Sequence, residues 1–465
     1  MLTTLLRDSR ALATLAVPLV LTQLAQVALT TTDTVMMGML GTQELAAGGL
    51  AIVIFNQLRT MGVGLVTSVG NQIASAAARV ERAAADTGTE KREGEGHAEV
   101  RGIVRASMAV ATLAAIAGAI LMILIGQALT WLGQDAAVVE RTRTMLLALA
   151  PGLLPCLWFQ AIRQFTVGMR RPQALLQITI VSIAVNVGLN WVLIHGTWGL
   201  PRLGLTGIGV ATSTVYLLSF LALYMAARRD SELSPLLSLN VAKADPATVK
   251  RLIGLGAPIA ATYGSEAGFF SITALMAGSF GPAALAAHTA VNQLVYIAFQ
   301  VAVGLSHAAS INVSRELALG RPDDARRIKN TALACAAAVM TVVGIVYLAL
   351  PQLVLAPFLD SGSDQALTIA THLLMVTAFL QFFDCAQNIG VGLLRGLDDT
   401  RSGFRITLIG YWAVGLPAAW LLAHPLGLDT LGIWLGLLTG LAATAVLLLR
   451  QYSRGLARHV AEVPA

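Results

Sequence analysis

Apolar runs of about 20 residues or more recur along the whole 465-residue chain, with polar segments between them. Each run is long enough to cross a hydrocarbon core roughly 30 Å thick as a helix. Only helices and closed barrels satisfy their backbone hydrogen bonds inside a bilayer. None of the runs shows the alternation over about 10 residues that is typical of a barrel strand. The sequence therefore predicts an all-α polytopic membrane protein.

The apolar pattern predicts twelve transmembrane helices. They cover roughly residues 11–37, 46–77, 103–131, 139–163, 173–197, 204–228, 250–278, 283–312, 328–352, 366–393, 402–424 and 430–452. The composition agrees, because 12% of the residues are charged, whereas an ordinary soluble domain carries roughly 25%. The first run is too long for a signal peptide and no small-residue cleavage site follows it, so we expect it to stay in the protein.

Lys and Arg concentrate in the segments before span three, after span four, between spans six and seven, after span eight and after span twelve. Cytoplasmic loops are enriched in these residues, so we expect both termini to be cytoplasmic. The net charge of +6 is explained by this topology. No nucleic-acid partner is therefore predicted.

The two halves of the chain repeat one design. A shift of 240 positions aligns Pro18 with Pro258, Gly38 with Gly278, Gly41 with Gly281, Leu45–Ala47 with Leu285–Ala287, and Gly64 with Gly304. Six spans in each half predict two parallel repeats related by an axis along the membrane normal. We expect an N-terminal six-helix lobe at 1–228, a cytoplasmic linker at 229–249 and a C-terminal six-helix lobe at 250–465. The charged segment 79–99 is interpreted as a flexible linker without chemistry of its own.

Pro18 and Pro258 occupy matching places in spans one and seven. Proline removes a backbone hydrogen bond and kinks a helix. One interpretation is a fixed kink for packing. The other is a pair of broken helices that marks a transport site, since such helices occur in corresponding positions of transporter repeats.

Three acids, Asp33, Glu266 and Asp384, lie inside long apolar stretches. A carboxylate at bilayer depth costs several kcal/mol unless it is paired, protonated or in contact with a water-filled cavity. Such residues usually mark an ion or substrate pathway. The sequence therefore predicts a transporter.

Glu266 lies about sixteen residues into span seven, some 24 Å along the helix axis. Burial disfavours the charged form, so this carboxyl would carry a proton or recruit a cation. Asp384 lies in FFDCAQNIG, where Gln381, Gln387 and Asn388 offer amide oxygens. Hard cations such as sodium favour oxygen ligands, so Glu266 and Asp384 are the predicted sodium ligands if sodium is the coupling ion. The alternative is that Glu266 binds no ion and only makes hydrogen bonds that hold neighbouring helices together.

A second polar group is predicted in the first lobe. Gln26 precedes Asp33 by two turns of the same helix and points to a similar side. Asn186 and Asn190 are four residues apart and share one face of span five. Together these side chains would form a polar pocket, unless Asp33 is an interfacial acid in partial contact with water.

Other polar and aromatic residues have more than one interpretation. Phe270 fits a core or lipid-facing position, and its ring is also able to face a cation. Arg59 falls near the middle of span two. Either its side chain faces a water-filled cleft, or the predicted position of the span is wrong. The three cysteines are scattered, odd in number and form no metal or redox motif, so no cofactor is predicted.

Longer motifs surround the acids: TDTVMMGMLG at Asp33, GSEAGFFSITALMAG at Glu266, DCAQNIGVGLLRGLDDTR at Asp384, and YWAVGLP starting at Tyr411. These motifs resemble those of the multidrug and toxic compound extrusion (MATE) family, NorM-type branch, and the resemblance covers the whole chain. It implies two six-helix lobes that form a V. It also implies multidrug efflux of organic cations, driven by antiport with sodium or protons.

The resemblance also implies residue roles. Glu266 and Asp384 correspond to the family's acidic cation-site residues of the second lobe, and Asp33 to its first-lobe acid. The family's polar positions on span five fall on Asn186 and Asn190, although a related branch has Asp where Asn190 stands. Tyr411, Gln387 and Asn388 lie in the matching motifs as supporting residues.

The implied partners are lipophilic organic cations and drugs, together with membrane lipid. The only implied cofactor is the coupling ion, Na⁺ or H⁺. The resemblance further implies a multi-pass protein of the bacterial inner membrane. We expect it to be a monomer.

Three alternatives were weighed against this interpretation. A MOP-type flippase for a lipid-linked precursor shares the many-span appearance, but would need a cluster of basic residues, and only Arg59 is a clear candidate. An enzyme is not expected, since the sequence has no HExxH, no GxSxG and no Cys–His pair. A channel or receptor fits the composition, yet repeats with matched prolines favour alternating access.

Overall fold

The computed structural model describes residues 1–87, 90–359, 362 and 364–462. Within these ranges the chain is mainly helical and contains no β-strand. The predicted all-α fold class is confirmed.

In the described part of the chain, seven α-helices precede the central linker. They are α1 (Leu2–Gly38), α2 (Thr42–Thr67), α3 (Val69–Thr87), α4 (Glu90–Ala128), α5 (Ala136–Gly168), α6 (Gln173–His195) and α7 (Leu205–Arg229). The helices after the linker are α8 (Pro246–Gly278), α9 (Pro282–Ala318), α10 (Pro322–Ala349), α11 (Pro351–Leu355), α12 (Asp364–Gly396), α13 (Thr400–Leu408), α14 (Leu416–Ala423) and α15 (Asp429–Glu462). A π-helical segment, Ile409–Gly415, joins α13 to α14.

The number of membrane-length helices comes within one of the predicted twelve. Within the described ranges, eleven helical stretches are long and apolar enough to cross a membrane, with α2–α3 and α13–α14 each forming one stretch. The remaining predicted span coincides with α8, which is 33 residues long. Each of the twelve predicted spans therefore coincides mainly with one helix or one continuous helical stretch, although the span 328–352 runs past the end of α10 into α11.

The charged segment 79–99 differs from its prediction. We predicted a flexible linker, but α3 continues to Thr87 and α4 begins at Glu90, on either side of the undescribed residues 88 and 89. The guanidinium of Arg79 pairs with Glu99 across the two helices, at 2.5 Å. Hydropathy identifies the apolar part of a helix and not its polar extension. The sequence pattern therefore ended the span on α3 too early and began the span on α4 too late.

The residues group into two compact units. The N-terminal unit is Leu24–Ala260, and the C-terminal unit combines Met1–Gln23 with the chain from Ala261 onward. The unit boundaries fall inside α1 and α8, shortly after Pro18 and Pro258. The predicted lobes at 1–228 and 250–465 follow the sequence repeat, whereas these units follow packing. The two descriptions therefore differ mainly in the first turns of α1 and α8.

The repeat is visible in local geometry. Gly41 precedes α2 with φ 127°, and its repeat counterpart Gly281 precedes α9 with φ 110°. Backbone with φ in this range favours glycine, because a Cβ atom would be strained there. Both halves therefore use the same turn before their second helix.

One long helix lies at the centre of each unit's packing. In the N-terminal unit α5 packs against α2, α4 and α7, and in the C-terminal unit α12 packs against α9, α10 and α15. Close approach depends on small residues. A Cβ added at Gly152 of α5 would lie 2.7 Å from the Cα of Ser213. Glycine at this position lets α5 and α7 pack in direct backbone contact.

The linker between α7 and α8 is bound to the N-terminal unit by two arginines. Arg101 donates to the carbonyl oxygen of Pro235 at 2.8 and 3.1 Å. Arg171 donates to Asp230 at 2.7 Å and to Glu232 at 2.9 Å. Burial opposes charge on Asp230, yet hydrogen bonds from Arg171 and from backbone amides hold the pKa of Asp230 below its ordinary value. The Arg171 pair therefore stays ionic at neutral pH.

Gly304→Val is expected to destabilise the C-terminal unit. A Cβ at position 304 would lie 2.8 Å from the Cα of Val20 and would overlap the Val20 side chain. Forcing extra atoms into such a contact typically costs about 1–3 kcal/mol. Thermal unfolding of the purified protein in detergent, followed by gel filtration, measures the effect. Gly188→Val is the matched control, because a Cβ at Gly188 would meet nothing within 4 Å. Equal midpoints for the two variants would contradict the prediction.

Candidate functional site

Asp33, near the end of α1, is the centre of a hydrogen-bonded cluster in the N-terminal unit. Asn186 and Asn190 each donate an amide N–H to Asp33 Oδ1, at 2.7 and 2.9 Å. The Thr212 hydroxyl donates to Asp33 Oδ2 at 3.1 Å. Asp33 is only 5% exposed, so it is not the interfacial acid of the alternative interpretation. Three neutral donors hold this carboxylate.

The helices explain this arrangement. Asn186 and Asn190 are one turn apart on α6, so both amides point to the same side. Thr212 lies on α7, which packs against α6. Sequence periodicity identified the two asparagines but not Thr212, because only the contact between helices brings that hydroxyl to Asp33.

The same asparagines carry buried acceptor atoms. Asn186 Oδ1 and Asn190 Oδ1 are inaccessible and accept no hydrogen bond from the described part of the protein. A buried acceptor without a donor is costly. Amide oxygens beside a carboxylate are suitable ligands for a hard cation, and also suitable acceptors for a proton on the carboxyl group.

The grouping of Gln26 with Asp33 in one polar pocket stays a prediction. Gln26 lines a pocket of the N-terminal unit together with Arg59, Gln160 and Tyr216. The hydrogen bonds to Asp33 come from Asn186, Asn190 and Thr212 instead. We call this cavity the Arg59 pocket. Arg59 lies within α2, so the predicted span was correctly placed there.

The second acidic site lies in the C-terminal unit, on α8 and α12. Glu266 interacts electrostatically with Asp384, and the Gln387 side chain hydrogen-bonds to Glu266. Asn388 donates to Asp384 Oδ1 at 3.3 Å and to the Asp384 carbonyl oxygen at 2.9 Å. Asp384 is 8% exposed. Two carboxyl groups in one place repel each other when both are ionised, so this site favours a cation or a proton between them.

Gln381 makes a contact with a neighbouring helix. Its amide donates to the carbonyl oxygen of Met340 on α10, at 2.8 Å. This bond uses the amide nitrogen, so the prediction that the Gln381 oxygen lies near Asp384 stays a prediction. Packing of α12 against α10 fixes the direction of the amide, and sequence spacing alone does not contain that information.

Aromatic rings pack beside the acids. Tyr411 is buried in the π-helical segment, its ring stacks on Phe269 with centroids 4.9 Å apart, and Phe270 is 6.4 Å away. Tyr411 interacts electrostatically with both Glu266 and Asp384. The Phe270 ring therefore packs next to the acidic site.

One further contact of this cluster was missed from the sequence. The Trp412 indole donates to the hydroxyl of Ser265 at 2.8 Å, directly before Glu266. This bond fixes α8 against the π-helical segment. π-Helical turns inside α-helices often occur at functional sites, because the extra residue redirects the side chains.

The matched prolines lie inside continuous helices. Pro18 is within α1 and Pro258 within α8, and the Thr22 hydroxyl donates to the Pro18 carbonyl oxygen at 2.7 Å. Two more prolines, Pro151 and Pro155, lie inside α5. The role of Pro18 and Pro258 as kinks at a transport site stays a prediction.

The repeated halves, the membrane-length helices and the buried acids define a class, the two-repeat polytopic membrane transporters. The MatE family model matches residues 18–192 and 258–421, one segment in each half. The chain belongs to the MatE family, and the resemblance drawn from the motifs is confirmed.

Relatives match over nearly the whole chain. A protein of Pseudomonas aeruginosa named "Probable multidrug resistance protein NorM" is 35% identical over 445 residues, covering 94% of this chain and 88% of the relative. A protein of Bradyrhizobium diazoefficiens with the same name is 36% identical over 461 residues, covering 96% and 93%.

Solved structures share the fold. An outward-facing multidrug resistance MATE family transporter of the MOP superfamily has a TM-score of 0.84 at 16% identity, covering 98% of both chains. The eukaryotic MATE transporter AtDTX14 has a TM-score of 0.79 at 20% identity, with 98% coverage of both chains.

Proposed function

We propose that the protein is a multidrug efflux transporter that exports lipophilic organic cations by antiport with Na⁺ or H⁺. The observation that carries the proposal is the joint placement of Glu266 and Asp384 with Gln387 and Asn388 in the C-terminal unit. The names of the relatives support the drug substrates.

The mechanism follows from charge. A cation or proton at Glu266 and Asp384 removes the repulsion between the two carboxylates. Its occupancy lowers the cost of the conformation that releases drug. Drug and ion then need only to shift the same conformational equilibrium in opposite directions, each by no more than its differential affinity for the two states. Alternating access results from this competition.

Asp33 is the proposed second site for the coupling ion, in the N-terminal unit. Its carboxylate and the oxygens of Asn186 and Asn190 offer a ligand set for a small cation, or a protonatable group. Sodium suits both acidic sites, because each combines carboxylate with amide groups. A proton suits both sites as well, because each acid lies at membrane depth.

The proposed topology places both termini in the cytoplasm of a bacterial cell, with the protein acting as a monomer in the inner membrane. The support is the distribution of Lys and Arg among the loops.

Transport in everted membrane vesicles tests the proposal. We expect an imposed ion gradient to drive ethidium into vesicles that contain the protein, and an ionophore to stop it. Parallel runs at fixed pH with and without sodium identify the coupling ion. Vesicles with the Glu266→Gln and Asp384→Asn double variant serve as the control. Equal ethidium uptake by both vesicle types under every gradient would contradict the proposal, and lipid flipping in liposomes would then favour a flippase.

A further inference from the structure

Arg395, near the end of α12, is a buried cation of the C-terminal unit. It is only 4% exposed, and its Nε atom is inaccessible and donates no hydrogen bond within the described part of the chain. A guanidinium is always charged, and a buried charge is costly unless it is fully hydrogen-bonded. Arg395 is separate from the Arg59 pocket, which belongs to the N-terminal unit. A basic residue at the end of a membrane-length helix has a less costly position in water, so its burial here needs a reason.

Arg395 and the acid Asp384 lie on the same face of α12. They are eleven residues apart, which is about three helical turns, so their side chains leave the helix in nearly the same direction. The rise between them is about 16 Å along the axis. Long side chains on a helix point back toward its N-terminus, and the guanidinium is therefore directed toward the acid.

A second helix places Arg395 relative to the acid pair. The guanidinium interacts electrostatically with Tyr263, which lies one turn before Glu266 on α8. Glu266 in turn interacts with Asp384 on α12. The order of the partners is reversed on the two helices, so α8 and α12 run in opposite directions here. Arg395 and Tyr263 therefore lie on the same side of the acids, the side toward the start of α8 and the end of α12.

The next acid along the chain has contacts of its own. Asp399 accepts hydrogen bonds from the backbone amide of Ser402 at 3.2 Å and from the Gln451 amide at 3.4 Å. Its carboxylate thus caps the start of α13. The phenol of Tyr263 carries no charge at neutral pH. A cation that leaves the acids in this direction consequently meets the positive charge of Arg395.

We propose that Arg395 is an electrostatic barrier on the cytoplasmic side of the Glu266–Asp384 site, and that it stops the coupling cation from leaking into the cell without drug export. This inference rests on the proposed antiport function and on the proposed topology, which places the end of α12 at the cytoplasm. The acids gather the cation, and Arg395 prevents its direct passage. The cation then leaves only when the protein changes conformation.

The size of such a barrier follows from Coulomb's law. Two unit charges about 6 Å apart, at an effective dielectric constant of about 20, repel each other enough to slow passage by about 100-fold. Fixed arginines exclude cations from membrane pores in the same way. Water around the guanidinium weakens the repulsion, so we expect a measured effect of at least about 10-fold.

Ion leak into proteoliposomes without drug tests the inference. One arm measures the entry of radioactive sodium at fixed pH, and the other measures proton entry with a lumenal pH dye in the absence of sodium. We expect the wild-type leak to stay close to that of protein-free liposomes. Arg395→Gln should raise the leak of the coupling cation by at least about 10-fold. Arg395→Lys keeps the charge and should leak like the wild type.

Two further variants show whether the leak uses the acidic site. Arg458→Gln is the matched control, because Arg458 is an exposed arginine on α15 of the same unit; it should leak like the wild type. Arg395→Gln combined with Asp384→Asn should lose the leak again, since the site no longer gathers the cation. A leak that persists in this double variant would indicate an unspecific opening and would overturn the inference. So would an equal leak in Arg395→Gln and the wild type, or in Arg395→Gln and Arg395→Lys.

Thermal unfolding of each variant guards against a folding defect. Arg395→Met has a similar length without charge, and it decides the question if Arg395→Gln does not fold. If neither neutral variant folds while Arg395→Lys does, the charge is needed for the structure and the inference is overturned.

The outcome is distinguishable from failure of the proposed function. If the wild-type protein shows no ion-driven transport of ethidium, the efflux proposal fails whatever the leak rates are. If ethidium transport is ion-driven and Arg395→Gln does not leak, only the inference about the barrier fails.

Discussion

Glu266→Gln and Asp384→Asn are each expected to abolish ion-driven drug efflux while the protein still folds and inserts. Both substitutions keep the shape of the side chain and remove its charge. A bound cation then loses one of its two carboxylate ligands, and removing one partner of a buried ion pair costs about 3–5 kcal/mol. This corresponds to a fall of at least about 100-fold in the occupancy of the site at a fixed ion concentration.

Initial rates of ethidium movement in everted vesicles, normalised to the amount of protein in the membrane, measure the loss. Asp364→Asn is the matched control, because this acid is exposed at the start of the same helix as Asp384. It should transport at the wild-type rate. Wild-type efflux in both Glu266→Gln and Asp384→Asn would remove the basis of the coupling mechanism.

Asp33→Asn is expected to lower both stability and transport. Asn186, Asn190 and Thr212 all donate to the Asp33 carboxylate, and an amide at position 33 turns one acceptor oxygen into a donor. Hydrogen bonds to a charged group contribute about 1.5–3 kcal/mol each, and a donor left unsatisfied loses that contribution. We expect a loss of about 2–4 kcal/mol in the free energy of unfolding.

Thermal unfolding of the purified protein, together with the ethidium assay, measures the two effects. Thr212→Val removes one donor and leaves the carboxylate, so its effect should be smaller than that of Asp33→Asn. Glu140→Gln, an exposed acid of the same unit, should leave both measurements unchanged. An Asp33→Asn protein as stable as wild type would show that the three hydrogen bonds contribute little.

The fold was largely predictable because hydrophobicity dominates it. Long apolar runs fix the helices, and glycines at a constant offset reveal the repeat, with Gly41 and Gly281 adopting the same backbone conformation. Helix ends were less predictable. α3 and α4 extend as polar helices beyond the apolar runs, and the Arg79–Glu99 pair holds these extensions together, so hydropathy had no signal at their ends.

The candidate sites were predictable only in part, because charge in an apolar run is visible in sequence and contacts between helices are not. Asp33, Glu266 and Asp384 were therefore found, and so were the asparagines that share a face of α6. Thr212 was missed, since threonine is common in helices and only α6–α7 packing gives it a role. The direction of the Gln381 amide depends on a carbonyl group of α10, which no local pattern indicates.

The C-terminal unit is built from two separate segments of the chain, and this affects the order in which the protein can fold. Residues 1–23 belong with the chain from Ala261 onward, and Val20 packs directly against Gly304. During translation these first residues leave the ribosome before any of their packing partners have been made. The N-terminal unit is contiguous and has all its residues much earlier, so the opening turns of α1 must wait, unpartnered within their own unit, until the later helices are synthesised. Deleting the extreme N-terminus would therefore damage the half of the molecule that is encoded last.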